Sequence, residues 1–267
     1  MNINTRPNYQ YSYINQSCPN FTANNRQFID TKTGTTYKTT TYFFREDLDW
    51  DRFVRLLENK YKDCDEVHVF NDACSDGHEP ISLAIKLQQQ MGDKSKKFFP
   101  IQASDYNSEN IQNAKNGILG ISNKELYDIN CATNGKYRDY FDFAPKINFY
   151  DDLALSPKTE LKEKIDFKQG DIFQNIEQMP KSNNVLLCRN FWRYLPKVGN
   201  SAEKLAQRLG EKLDSTSLVI IGEHDIECNT NELLQKNGFE ETPVEFVFQK
   251  VKMPYKKFGI NPLKYTH

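Results

Sequence analysis

Between Leu48 and Val251 the chain alternates short apolar runs with longer stretches of helical period, and this alternation most limits its fold. Val185-Leu186-Leu187 and the run from Ser217 to Gly222 are of the kind found in strands covered on both faces. A helix is predicted over Leu48–Tyr61, where Trp50, Phe53, Val54, Leu57 and Tyr61 share one face. A strand over Glu66–Asn71 follows, then a turn from Asp72 to His78. A helix starts near Glu79, with Ile81, Ala84, Ile85 and Leu87 as its stripe. A second strand covers Phe98–Ala103, and Ser108 is the expected cap of a helix bearing Ile111, Ala114 and Ile118. Beyond a strand at Asn184–Cys188, a helix covers Asn200–Leu213. Its opening, Asn200-Ser-Ala-Glu203, has the pattern of a capping box. A strand at Ser217–Gly222, a short helix at Thr230–Asn237 stopped by Gly238, and an alternating strand over Pro243–Val251 complete the series. Strands alternating with helices specify an α/β fold: a mostly parallel sheet with helices on both faces and a late antiparallel strand.

Residues 1–38 read as an N-terminal arm, and 39–267 as one domain. Residues 119–165, charged and aromatic without a clean period, read as an insertion or small subdomain. The 267 residues carry 35 Lys plus Arg against 36 Asp plus Glu, a net charge of -1 that argues against a nucleic-acid partner. Mean hydropathy is -0.74. No apolar run approaches the roughly 18 residues a membrane helix needs, so no membrane insertion is expected. Met1 to Asn20 lacks the apolar stretch of a secretory signal. The six cysteines are scattered without a C-x-x-C pair, which suggests free thiols in a reducing, cytoplasmic setting. The four histidines do not cluster at ligand spacing, so no metal is expected.

In such sheets ligands bind beyond the carboxyl ends of the strands, at the point where the strand order reverses. After the first strand stands Asn71-Asp-Ala-Cys-Ser-Asp-Gly77-His-Glu79-Pro80, a small-residue turn into a helix. Gly77 there would permit close backbone approach to a ligand. It is neither G-x-G-x-x-G nor a phosphate-binding lysine loop. After the second strand comes Asp105, where an acid accepts hydrogen bonds from ribose hydroxyls, or simply caps a helix. After the third comes Cys188-Arg-Asn190-Phe191-Trp-Arg-Tyr194, polar and aromatic residues suited either to an adenine pocket or to packing under a helix.

Five segments together resemble the CheR family: S-adenosylmethionine-dependent methyltransferases that act on glutamate carboxylates of chemoreceptors. The family's T-x-F-F-R-E motif is matched by Thr41-Tyr-Phe43-Phe44-Arg45-Glu46. Its C-S-T-G-E-E-P-Y-S-L-A loop is matched by Cys74-Ser-Asp-Gly77-His78-Glu79-Pro80-Ile-Ser-Leu-Ala84. Ala103-Ser104-Asp105 with Ala114 to Gly117, and Cys188-Arg189-Asn190-Phe191-Trp-Arg-Tyr194-Leu195, match two further motifs. Gly222-Glu-His-Asp225 echoes the family's G-H-S-E. The resemblance implies a Rossmann-like class I methyltransferase fold, S-adenosylmethionine as cofactor, S-adenosylhomocysteine as product, and a protein acceptor of the chemoreceptor kind.

It also implies roles for individual residues. Arg45 would lie by the methionine end and the transferred methyl, with Tyr194 near the transfer site; these two are the candidate catalytic residues. Thr39 and Thr41 would belong to the same cofactor-binding motif. Glu79 would bind the cofactor, Asp105 the ribose, and Asp171 with Ile172 the adenine side; Asn190 and Phe191 would complete the set. The sequence departs from the family at His78, which replaces a glutamate, and at Asp171, which replaces an asparagine. About 38 residues precede the first motif, where the family carries a helical domain implicated in receptor docking. A methyltransferase with another acceptor, and a cofactor-binding regulatory module without turnover, are the other readings of these residues.

Overall fold

The computed structural model describes residues 41–146, 152–196 and 199–251, together with the backbone of two paired strands, β1 (Arg26–Ile29) and β2 (Thr36–Thr39). In chain order there follow α1 (Trp50–Lys60), β3 (His68–Asp72), α2 (His78–Met91), β4 (Ile101–Asp105) and α3 (Ser108–Asn116). Then come β5 (Leu119–Ile121), α4 (Asn123–Ala132), β6 (Phe141–Phe143), β7 (Leu153–Pro157) and α5 (Thr159–Lys162). The chain continues through β8 (Ile165–Gln169), α6 (Ile172–Gln178), β9 (Asn184–Leu187), α7 (Ser201–Lys212), β10 (Leu218–Ile220), α8 (Thr230–Lys236), β11 (Phe239–Glu241) and β12 (Val247–Lys250).

The main sheet has seven strands in the order β11-β12-β10-β9-β3-β4-β8. The pairings of β10 with β9, β9 with β3, β3 with β4 and β4 with β8 are parallel, and β12 runs antiparallel to both its neighbours. This is the Rossmann-like α/β architecture with a late antiparallel strand expected from the sequence. Strand alternation divides the core in two. Val69, Val185, Leu187, Leu218 and Ile220 face α1 and α2. Phe70, Leu186, Val219 and Phe248 face α6, α7 and α8. The strand order reverses between β3 and β9, so their carboxyl ends splay apart there and leave a crevice. No helix among the described residues is long and apolar enough to cross a membrane.

Some local expectations are corrected. Asn107, not Ser108, caps α3, accepting from the Glu109 N–H at 2.9 Å. Asn200 precedes α7 in the left-handed region (φ 55°) and makes no side-chain capping bond, so the expected capping box is absent. Asparagine tolerates that backbone. A capping box does form at Ser122 and Glu125, opening α4 in the stretch that lacked a readable period. That stretch also holds a separate antiparallel sheet, β5-β7-β6. The strand β8 was not anticipated. It lies at the sheet edge with only Ile165 fully buried, so its sequence carries no continuous apolar run.

Candidate active site

The turn after β3 is built from left-handed backbone: Ala73 (φ 58°), Ser75 (φ 53°) and Gly77 (φ 99°). Gly77 starts α2, and a Cβ there would come 2.9 Å from Phe167 Cζ. Its glycine is therefore required by its φ and by the packing of α2 on β8. His78, where the family has glutamate, is buried with its ring centroid 4.4 Å from that of Phe43 and Nδ1 2.7 Å from Asp76 Oδ1. Burial opposes its charge, but Asp76 outweighs that and raises its pKa.

The next helical residue, Glu79, faces the crevice. Its Oε1 accepts from Asn71 Nδ2 at 2.8 Å and its Oε2 from Arg189 Nη1 at 2.7 Å. Arg189 Nη2 donates to Asp47. The Arg189 side chain is fully buried and stacks 5.5 Å over the Trp50 ring. Asp47 also accepts from Asn190 Nδ2 (3.3 Å) and the Glu223 N–H (3.0 Å). Asp47 and Arg189 had no assigned role from the sequence. The Asp47 side chain is 6 % exposed and pairs with a residue 142 positions away. Glu46 is the exposed one, 3.5 Å from Lys124.

Beyond β4, Asp105 accepts from the N–H groups of Ser75 (2.8 Å) and Asn107 (2.9 Å) and from Asn110 Nδ2 (3.2 Å). Burial raises its pKa in spite of these donors. Asp171 caps α6 by accepting from the Phe173 N–H at 2.8 Å. Beneath, Asp72 Oδ1 accepts from Ser104 Oγ (2.5 Å) and Asn175 Nδ2 (2.6 Å), a buried polar knot absent from the sequence reading. A Cβ at Gly170 would come within 3.0 Å of the Asn175 amide, so the glycine lets α6 close over that knot.

Beyond β9, Asn190 is left-handed (φ 59°). Its N–H donates to Asp225 Oδ2 at 2.5 Å, as does the Gly222 N–H at 2.8 Å, while the Trp192 N–H donates to Asp225 Oδ1 at 3.1 Å. A Cβ on Gly222 would overlap the Asn190 side chain, 2.2 Å from Oδ1. Asp225 is thus a buried clamp on the loop carrying Asn190 and Phe191, while its neighbour His224 is exposed. Burial pushes the Asp225 carboxyl up to about 6 against the pull of its backbone donors. Because the native pKa is raised, the folded protein keeps this proton to higher pH than the unfolded chain. The associated stability is complete at about pH 4 and falls as the pH rises towards 6, by roughly 3 kcal/mol. Urea denaturation of wild type and Asp225→Asn across this range should show the stability difference between them shifting by that order. A difference independent of pH would show that Asp225 titrates normally.

The crevice is a cavity of about 420 Å³, within the range for small-molecule sites. Thr41, Arg45, Glu79, Asn190 and Tyr194 line it together with Asp105, Asp171, Ile172 and Phe191. Tyr106 and Phe173 add apolar surface beside them. Thr39 ends β2, and its side chain lies outside the described residues. Arg45 follows Phe43 and Phe44, both buried, and the Phe44 N–H donates to Ser82 Oγ at 3.0 Å. The Arg45 carbonyl accepts from Trp50 Nε1 at 3.2 Å, which fixes the backbone on its other side. Among the described residues no group of three or more His, Cys, Asp or Glu could hold a metal ion.

Carboxylates, small-residue turns and aromatic walls at a switch point suit a charged nucleoside. Sequence comparison agrees with that chemistry: the profile described as CheR methyltransferase, SAM binding domain, matches residues 39–241. The chain belongs to the CheR methyltransferase family. Similar proteins include the "Chemotaxis protein methyltransferase" of Borreliella burgdorferi, 24% identical over 68% of this chain and 62% of that protein. A protein of the same name from Salmonella typhimurium is 26% identical over 68% of this chain and 58% of that one. The chain thus spans about six tenths of the length of these relatives. Among solved structures, the magnesium protoporphyrin IX methyltransferase of Synechocystis, with bound SAM, overlies it loosely: TM-score 0.34, 15% identity, 74% of each chain. All the site residues above fall inside the matched CheR segment.

Proposed function

We propose that the protein transfers the methyl group of S-adenosylmethionine to a carboxylate on a protein, with a chemoreceptor-type glutamate as acceptor. When bound, the cofactor supplies a methyl group activated by a sulfonium. The observation that carries the acceptor class is the lining of the cavity: it includes Arg45 and Tyr194 but neither His nor Lys among its described residues. An amine or alcohol acceptor usually needs a base to remove a proton. A glutamate, with a pKa of about 4.3, is already ionised at neutral pH and needs only to be held in line.

In this reading Arg45 grips the acceptor carboxylate and Tyr194 borders the transfer site. Thr39, Thr41 and Glu79 hold the methionine half of the cofactor. Asp105 takes the ribose, and Asp171, Ile172, Asn190 and Phe191 frame the adenine. Residues 39–267 form the catalytic domain, with 1–38 as an arm and the β5-β7-β6 region, within 119–165, as a subdomain. The names of the relatives support a protein acceptor, and the scattered cysteines support a cytoplasmic setting. The test is a labelled-methyl reaction split in two, half of it raised to high pH. A methyl ester hydrolyses there and releases volatile methanol. Label that survives the treatment would reject the carboxylate acceptor while leaving the cofactor reading intact.

A further inference from the structure

Arg189 is one cation shared between two carboxylates. Its guanidinium is fully buried, donating through Nη1 to Glu79 and through Nη2 to Asp47. The cluster therefore carries one net negative charge with little water to screen it. Glu79 lines the cavity and Asp47 does not, so the uncompensated charge is presented to a ligand through Glu79. Each Glu79 oxygen has a single protein donor, Asn71 Nδ2 on one and Arg189 Nη1 on the other, and each has a lone pair left to accept a second. Asp47 lies two residues beyond Arg45, in the segment assigned above to the methionine half.

We propose that Asp47 is a positioning residue: by taking half of Arg189, it leaves Glu79 with the negative charge that binds the α-ammonium of the cofactor's methionine half. The proposal rests on the cofactor reading above. Without the Asp47 charge, Arg189 neutralises Glu79 alone, and the attraction for an ammonium group weakens. The nucleoside half keeps Asp105, Asp171, Ile172 and Phe191, and Asn190 Nδ2, 3.3 Å from Asp47, can still donate to the amide oxygen of Asp47→Asn.

The experiment is calorimetric titration of wild type and Asp47→Asn with two ligands. S-Adenosylhomocysteine carries the ammonium; 5′-methylthioadenosine has the same nucleoside and no amino-acid group. Asp47→Asn should bind S-adenosylhomocysteine about tenfold more weakly and methylthioadenosine within about twofold of wild type. A general loosening of the fold would lower both. An equal loss of both ligands, or unchanged affinity for S-adenosylhomocysteine, would overturn the proposal. Should Asp47→Asn not fold, Glu79→Gln tests the same charge with Arg189 still paired to Asp47, and must show the same selective loss. Failure of wild type to bind either ligand would instead refute the cofactor reading itself.

Discussion

Asp105→Ala is expected to lower the affinity for S-adenosylhomocysteine by about 10- to 100-fold, because each charge-assisted hydrogen bond lost is worth roughly 1.5–3 kcal/mol. The side chain already holds the Ser75 and Asn107 N–H groups and Asn110, so it shapes the turn as well as facing the cavity. The two roles separate by substitution. Asp105→Asn retains an acceptor for part of the turn but removes the charge that ribose hydroxyls favour, and should fall between wild type and alanine. Calorimetry on the three proteins, with melting temperatures beside it, measures both roles. Wild-type affinity in a folded Asp105→Ala protein would place the ribose elsewhere.

Arg45→Lys is expected to keep the fold and lose about 100-fold in turnover, the order of loss that follows a misplacement of about 1 Å in an in-line reaction. Lysine keeps the charge but offers a point donor in place of a planar fork that can grip both oxygens of a carboxylate. The buried Phe43 and Phe44 and the Trp50 bond to the Arg45 carbonyl hold the backbone at this position, so a change here should not spread. Steady-state kinetics should show the loss in kcat, with S-adenosylhomocysteine affinity changing far less. Full activity in Arg45→Lys would remove the arginine from the transfer step and leave Tyr194 as the stronger candidate.

The central strands were readable because they are covered on both faces. Val185-Leu186-Leu187 and Leu218-Val219-Ile220 have no polar residue to interrupt them, and burial is complete at each of these positions. The edge strand β8 and the small strands β5, β6 and β7 escaped for the opposite reason. Phe143 is exposed and Asp142 faces solvent, so local pattern there reports little about pairing. Site residues at strand ends were legible through motif resemblance, since each lies within a short run of sequence. The groups that hold them were not. Arg189 meets Asp47 and Glu79 across 142 and 110 residues, and Asp225 meets Asn190 across 35. Such contacts are set by the topology of the sheet, which brings the ends of β3, β9 and β10 together. Only their chemical consequence, an acid or arginine in an otherwise apolar context, leaves a trace in the chain.

The measurement that bears most directly on this account is titration of the full chain with S-adenosylhomocysteine, followed by heat and by melting temperature. One equivalent should bind saturably, and ligand at about 100 times its dissociation constant should add roughly 2.7 kcal/mol of stability. Binding heat and thermal shift should both diminish in Asp105→Ala. Neither heat nor shift at about 1 mM ligand, where even a binding free energy of roughly -4 kcal/mol would register, would contradict the assignment of this cavity to the cofactor.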